Sequence, residues 1–223
     1  MIKMIGIMLW GAGISLEVFF LTLLFSVPLA MPIAFGRMSK NRVVRTIINL
    51  YLLIMRGTPL ILQLIFIYFA PKYLNKFLVD TFAVSLGFLS FNRFTAVIIA
   101  FALNYAAYFA EIYRGGIESI TKGQYEAAKV LGFTNPQTFF RIVLPQVIKR
   151  ILPASGNEVI TLVKDTALAQ VIGVAELFHA AQNAAAREFS TTPIFVAGLF
   201  YFIMNWVVSF AFTTWEKKLS YYS

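Results

Sequence analysis

The chain has 223 residues, of which 59% are hydrophobic and 13% charged, against roughly 45–50% apolar and about 25% charged in soluble domains. That balance excludes an ordinary water-soluble fold, and the lack of cysteine excludes disulfides and thiolate metal sites. A net charge of +9 suits either nucleic acid or a membrane protein with cationic loops on one side, so the positions of the charges must decide.

Residues 1–10 hold one basic residue, Lys3, and no small-residue cleavage signal, which reads as a retained, short interfacial segment. A first span is predicted over 14–35, punctuated by Pro28 and Pro32. A second runs over 47–70 and carries Gly57 and Pro59, breakers that free backbone groups inside a membrane. Arg56 lies about ten residues into this span, or roughly 15 Å at helical rise, near mid-depth. The third span, 94–113, shows a thin polar stripe at Asn104, Tyr108 and Glu111.

A hydrophilic segment over 114–150 follows, too long for a plain connection. It reads as two short helices, Gln124 to Leu131 and Gln137 to Val143, turning at Gly132 and ending at Pro145. Thr134, Asn135 and Pro136 supply the capping oxygens and first-turn proline for the second helix. The fourth span, 151–175, contains Gly156, Glu158, Lys164 and Asp165. Each such charge costs about 2.5–3.5 kcal/mol near the centre of a lipid-facing helix, so these side chains must face protein or water. His179, the single histidine, falls in the loop after it and can form no metal cluster. The fifth span covers 194–214.

With five spans, one set of loops holds twelve basic residues, between Arg37 and Arg45, Arg114 and Arg150, and at Lys217 and Lys218. The other set holds five: Lys3, Lys72, Lys76, Arg93 and Arg187. Retention of positive loops in the cytoplasm puts the amino terminus outside and the carboxyl terminus inside. A four-span arrangement would split the basic clusters between the two sides.

Within 114–150 the spacing is specific: Glu126, Ala127, Ala128, then Gly132, then Ile142, Leu144 and Pro145. Seven types at fixed spacing arise by chance with a probability on the order of 10⁻⁸ per starting position. This pattern resembles the Glu-Ala-Ala loop of bacterial ABC importer permeases. Arg56, Gly57, Thr58 and Pro59 with Gln63 resemble the corresponding segment of the polar amino acid uptake permeases. So do Arg114 to Ile117 and Leu152 to Ala169.

The resemblance implies an all-α membrane protein with the type I ABC importer permease fold: five transmembrane helices and a cytoplasmic coupling hairpin in one domain over 1–223. It further implies a homodimer or heterodimer of permeases in the bacterial cytoplasmic membrane, two nucleotide-binding ATPase subunits, and an extracytoplasmic substrate-binding protein. ATP and magnesium would sit on the ATPase, seated against Glu126, Ala127, Ala128, Gly132, Ile142, Leu144 and Pro145. The small side chains of Ala127 and Ala128 would let a partner approach closely.

A zwitterionic cargo needs donors for its carboxylate and a carboxylate or acceptor for its ammonium, and ionisable residues inside a membrane are the candidates. The substrate-binding set is Arg56, Thr58, Gln63, Asn104, Asn157, Glu158, Lys164 and Asp165. Glu158 and Asp165 share a helical face with Leu162, and Asn157, Thr161 and Lys164 share the adjacent one. Two acids would favour a basic cargo. Alternatively, Arg56, Glu17, Glu158, Lys164 and Asp165 pair with one another and hold the helices in register.

The chain carries no zinc-protease motif and no phosphate-binding glycine-lysine loop, so it reads as a transport subunit rather than an enzyme. The competing class is a stand-alone secondary transporter or channel, which also uses broken helices and buried charge.

Overall fold

The computed structural model describes residues 2–82, 84–85 and 91–219, and these are helical almost throughout. Met1 and the Lys3 side chain, part of the expected interfacial segment and charge count, lie outside the described residues. The rest of that segment is not separate, because α1 runs unbroken over Ile2–Arg37. At 36 residues it is about 54 Å long, well beyond a hydrocarbon core of ~30 Å. Its surplus turns have their own apolar partner: Met4, Met8 and Ala12 pack on Leu177, Ala181 and Ala184 of α8 (Leu177–Glu188).

The predicted second span is two helices, α2 (Arg42–Gly57) and α3 (Leu60–Phe82), bent by 111° at Thr58 and Pro59. Pro59 has no N–H to continue the ladder, and it drives Thr58 into an extended conformation with ψ 149°. Next comes α4 (Arg93–Glu118), the most buried element, which packs along α1. Small residues line the contact: Ala30 and Ala34 on α1, and Ala96, Ala100, Ala107 and Ala110 on α4, are all buried. Backbones approach closely where side chains are this small.

The hairpin follows as α5 (Lys122–Val130) and α6 (Asn135–Thr138). Its turn is a Schellman motif, with Gly132 at φ 78°, its N–H on the Lys129 carbonyl, and the Phe133 N–H on Ala128. Thr134 caps α6 in a reciprocal box with Gln137. The expected break at Pro145 does not occur. A five-residue π turn, Phe139–Val143, carries the chain straight into α7 (Leu144–Asp165). The wider turn suits the missing proline N–H, since the Leu144 N–H reaches back five residues to Phe139.

The helix that holds the predicted fourth span therefore begins before residue 151 and tightens at its far end into a 3₁₀ turn, Thr166–Ile172, closed by Gly173. Gly156 does not interrupt it; a Cβ there would lie 2.8 Å from Phe212 in α9 (Thr192–Leu219), so the glycine admits that ring. The segment after Gly173, expected as a loop, is largely α8. Glu176 caps it, accepting from the Phe178 and His179 N–H groups at 2.7 Å each. It is fully buried and also accepts from the Tyr201 hydroxyl of α9 at 2.8 Å. One carboxylate thus fastens α8 to α9.

By length and apolar composition α1, α4 and α9 can each cross a membrane, and the bent pair α2–α3 adds a fourth crossing if it is one span. The charges on α7 keep it outside that purely apolar class.

Candidate functional site

The break between α2 and α3 has a physical cost, because carbonyls freed inside an apolar assembly need donors. Two side-chain amides supply them. Gln63 Nε2 donates to the Met55 carbonyl (2.9 Å), the Thr58 carbonyl (3.1 Å) and Thr58 Oγ1 (2.9 Å). From α4, Asn104 Nδ2 donates to the same Met55 carbonyl (2.9 Å) and to Gln63 Oε1 (3.0 Å). Gln63 and Asn104 are both buried, and they hold the break open at the middle of α4. Tyr51 adds a further pin between α2 and α4, its hydroxyl donating to the Leu103 carbonyl at 2.5 Å.

Facing the break is a pocket of about 500 Å³ whose walls come from the break itself, α4, α7 and the 3₁₀ turn. Thr58, Pro59, Leu60 and Ile61 form one side; Asn104, Tyr105 and Tyr108 form the second; Glu158, Thr161, Asp165 and Leu168 form the third. Tyr105 donates its hydroxyl to Asp165 Oδ2 at 2.7 Å, fixing one carboxylate oxygen. The pocket thus offers two acids, hydroxyls and aromatic faces, a set suited to a cationic or ammonium group.

Four of the eight predicted binding residues, Thr58, Asn104, Glu158 and Asp165, meet here. Gln63 stands directly behind the wall. Asn157 and Lys164 do not reach it and are exposed, because a helical neighbour points about 100° away from Glu158 or Asp165. Thr161, grouped in the sequence with those two, turns into the pocket instead. Tyr105 was missed, although its place beside Asn104 on the polar side of an otherwise apolar helix was a readable signal.

Arg56 lies on the other side of Tyr108. Its guanidinium sits 5.5 Å from that ring's centre and 3.6 Å from Glu111 Oε2. Glu111 is a hub: Arg37 approaches Oε1 at 3.3 Å, and Arg114 approaches Oε2 at 2.9 Å while also bonding Glu118. Arg37 in turn donates to Asn49. Arg37, Asn49, Arg56 and Glu111 border a second pocket of about 400 Å³. The expected mutual pairing of Arg56 with Glu158 or Asp165 is therefore not what forms; Arg56 pairs with Glu111. Glu17, the other acid in that expectation, is exposed on α1.

At the hairpin, Tyr125, Glu126, Lys129, Phe133, Asn135 and Thr138 border a groove of about 320 Å³. Ala127 is open, but Ala128 is buried within the chain itself, so only the first of the two alanines can admit a partner. Val130, Leu131 and Phe140 are 87%, 72% and 65% exposed, an apolar surface flanking the groove. Ile142 and Leu144 are half-buried and Pro145 is exposed. Beneath them Ile120, Val143 and Val147 form a small core that joins the hairpin to α4 and α7.

A bundle of long apolar helices with a helix break facing half-buried acids, and with a helical hairpin at one end, defines a membrane transport subunit. Residues 26–221 match the model of the binding-protein-dependent transport system inner membrane component, and the chain belongs to that family. It is 38% identical over 196 residues to the nopaline transport system permease protein of Agrobacterium fabrum, covering 87% of this chain and 80% of that one. It is 34% identical to the arginine transport system permease protein of Bacillus subtilis, covering 98% and 94%. A crystal structure of an amino acid ABC transporter with histidines superposes with a TM-score of 0.83 at 32% identity, covering 98% of this chain and 96% of that one.

The protein is thus an ABC importer permease of the inner membrane, working with ATPase and binding-protein partners rather than hydrolysing ATP itself. The stand-alone transporter or channel is set aside.

Proposed function

We propose that this permease carries a polar, basic amino acid through the pocket between the α2–α3 break and α7. The observation that carries the reading is the convergence of Glu158 and Asp165 on one cavity beside Thr58. Two carboxylates within a single site attract a cargo with two cationic groups, an α-ammonium and a basic side chain. The relative from Bacillus subtilis is named for arginine and the superposing crystal structure for histidines, in keeping with such a cargo. Arg56, across Tyr108, is the group for the cargo carboxylate; Gln63 and Asn104 position the break. Asn157 and Lys164, both exposed, serve the cargo only in another conformation or at a subunit contact.

In this reading the chain crosses the membrane five times, with α2–α3 as one broken span and α7 as the polar one. The amino terminus is external and the carboxyl terminus cytoplasmic, following the basic loops. Glu126, Ala127 and the exposed apolar residues of the hairpin seat in the ATPase subunit, which holds magnesium and ATP. Two permeases, identical or homologous, enclose the pathway, and the external binding protein delivers the cargo.

The test is uptake into proteoliposomes that contain the permease, its ATPase and its binding protein, with arginine, lysine, histidine, glutamine and glutamate as radiolabelled cargo. ATP-dependent uptake of a basic amino acid that falls at least tenfold in both Glu158→Gln and Asp165→Asn supports the site. Uptake indifferent to both substitutions would sink it.

A further inference from the structure

We infer that Arg56 changes carboxylate partners during transport, leaving Glu111 for the carboxylate of an amino acid seated in the Glu158–Asp165 pocket; the inference rests on the cargo reading above.

Three arginines surround Glu111, and they are not equivalent. Arg56 makes the longest contact, 3.6 Å against 3.3 Å for Arg37 and 2.9 Å for Arg114. Its side chain is also the most exposed, at 44% against 33% and 29%. When Arg56 departs, Glu111 keeps two cations and stays compensated, so the exchange leaves no bare charge behind. Arg37 and Arg114 are each tied down a second time, to Asn49 and Glu118, whereas the second contact of Arg56 is the face of Tyr108.

That ring borders the acidic pocket, and the guanidinium over it belongs to Arg56, which borders the second pocket with Glu111. A guanidinium stacked on an aromatic face can swing along it without losing the cation–π contact. Arg56 is also two residues from Thr58, where the helix has already ended, so its backbone is tied to the break that the cargo touches. Glu111 is therefore a positioning residue, a built-in carboxylate that occupies Arg56 until the cargo's own replaces it.

The experiment uses the detergent-solubilised permease–ATPase complex without binding protein, and equilibrium binding of radiolabelled L-arginine, L-histidine and L-glutamine. Each is compared with its decarboxylated amine: agmatine, histamine and 4-aminobutanamide. For the amino acid that the wild type binds, Glu111→Gln should tighten affinity about tenfold and leave the matching amine unchanged, while Glu158→Gln weakens both. A charge-balanced variant, Glu111→Gln with Arg114→Gln, repeats the measurement should the single substitution fold poorly.

Equal affinity in wild type and both Glu111 variants, with Glu158→Gln still weakening binding, overturns the exchange and leaves Glu111 a structural staple. Equal tightening for the amine overturns it too. If Glu158→Gln changes nothing, or no amino acid binds, the cargo reading itself falls and the exchange with it.

Discussion

Asn104 in α4 donates its side-chain amide to the Met55 carbonyl at 2.9 Å, so the last turn of a helix that ends at Gly57 is closed by a residue forty-nine positions beyond Met55. The bond gives the carbonyl freed at the break a second donor beside Gln63. In Asn104→Leu, Met55 retains only Gln63, and Gln63 Oε1 loses its donor. A buried polar group left unsatisfied costs about 1–3 kcal/mol. The melting temperature in detergent should fall and uptake with it; an unchanged melting temperature would show that the break needs no clamp.

Tyr105 holds Asp165 by one oxygen at 2.7 Å. Tyr105→Phe keeps the ring and its packing but frees the carboxylate to rotate. Hydrogen bonds to charged groups contribute about 1.5–3 kcal/mol, a ceiling for the loss. The expected result is a rise of a few-fold to tenfold in the KM for uptake with a smaller change in kcat. A change in kcat alone would assign Tyr105 to the conformational step instead.

Gly116 lets α4 lie close against α7: a Cβ there would collide with Ile151 Cγ2 and lie 3.0 Å from Val147 Cγ1. Gly116→Ala should destabilise the complex by about 1–3 kcal/mol through overpacking. Adding Ile151→Ala removes the obstructing methyl group and should recover most of the loss, as thermal unfolding of the double variant would report. Failure to recover would mean that the two helices do not meet as described.

The hairpin turn at Gly132 needs a left-handed residue, and its N–H is spent on Lys129. Gly132→Pro removes both, and Glu126→Lys reverses a charge at the rim of the groove. The double variant, captured gently from membranes, should lose the ATPase subunit that accompanies the wild type. Glu158→Gln, altered only in the pocket, should retain it. Loss of the ATPase from both would point to general misfolding rather than to the hairpin.

Much of the fold was legible because bilayers impose a length and a polarity that a sequence must display. Three of the five predicted spans, 14–35, 94–113 and 194–214, fall within α1, α4 and α9. Gly132 announced its turn because few other residues adopt φ near 78°. Pro145 misled, since proline predicts a missing donor but not whether a wider turn will absorb it, as the π turn does. The loop around His179 misled too: a run of alanines has strong helix propensity, but its cap, Glu176, is held by Tyr201 from a distant helix.

Within the site, the sequence by itself determined which residues are too polar to face lipid, and so named Arg56, Glu158 and Asp165. It also determined the helical hairpin after α4, whose chemistry is local: a Schellman glycine, a capping threonine and a proline, each satisfied within a few residues. Only the tertiary structure decided who pairs with whom. Glu111 gathers three arginines, from α1, α2 and α4, while Gln63 and Asn104 spend their donors on a broken backbone. Such partnerships depend on helix rotation and depth, and in a low-dielectric interior each polar group bonds whatever the packing brings near it.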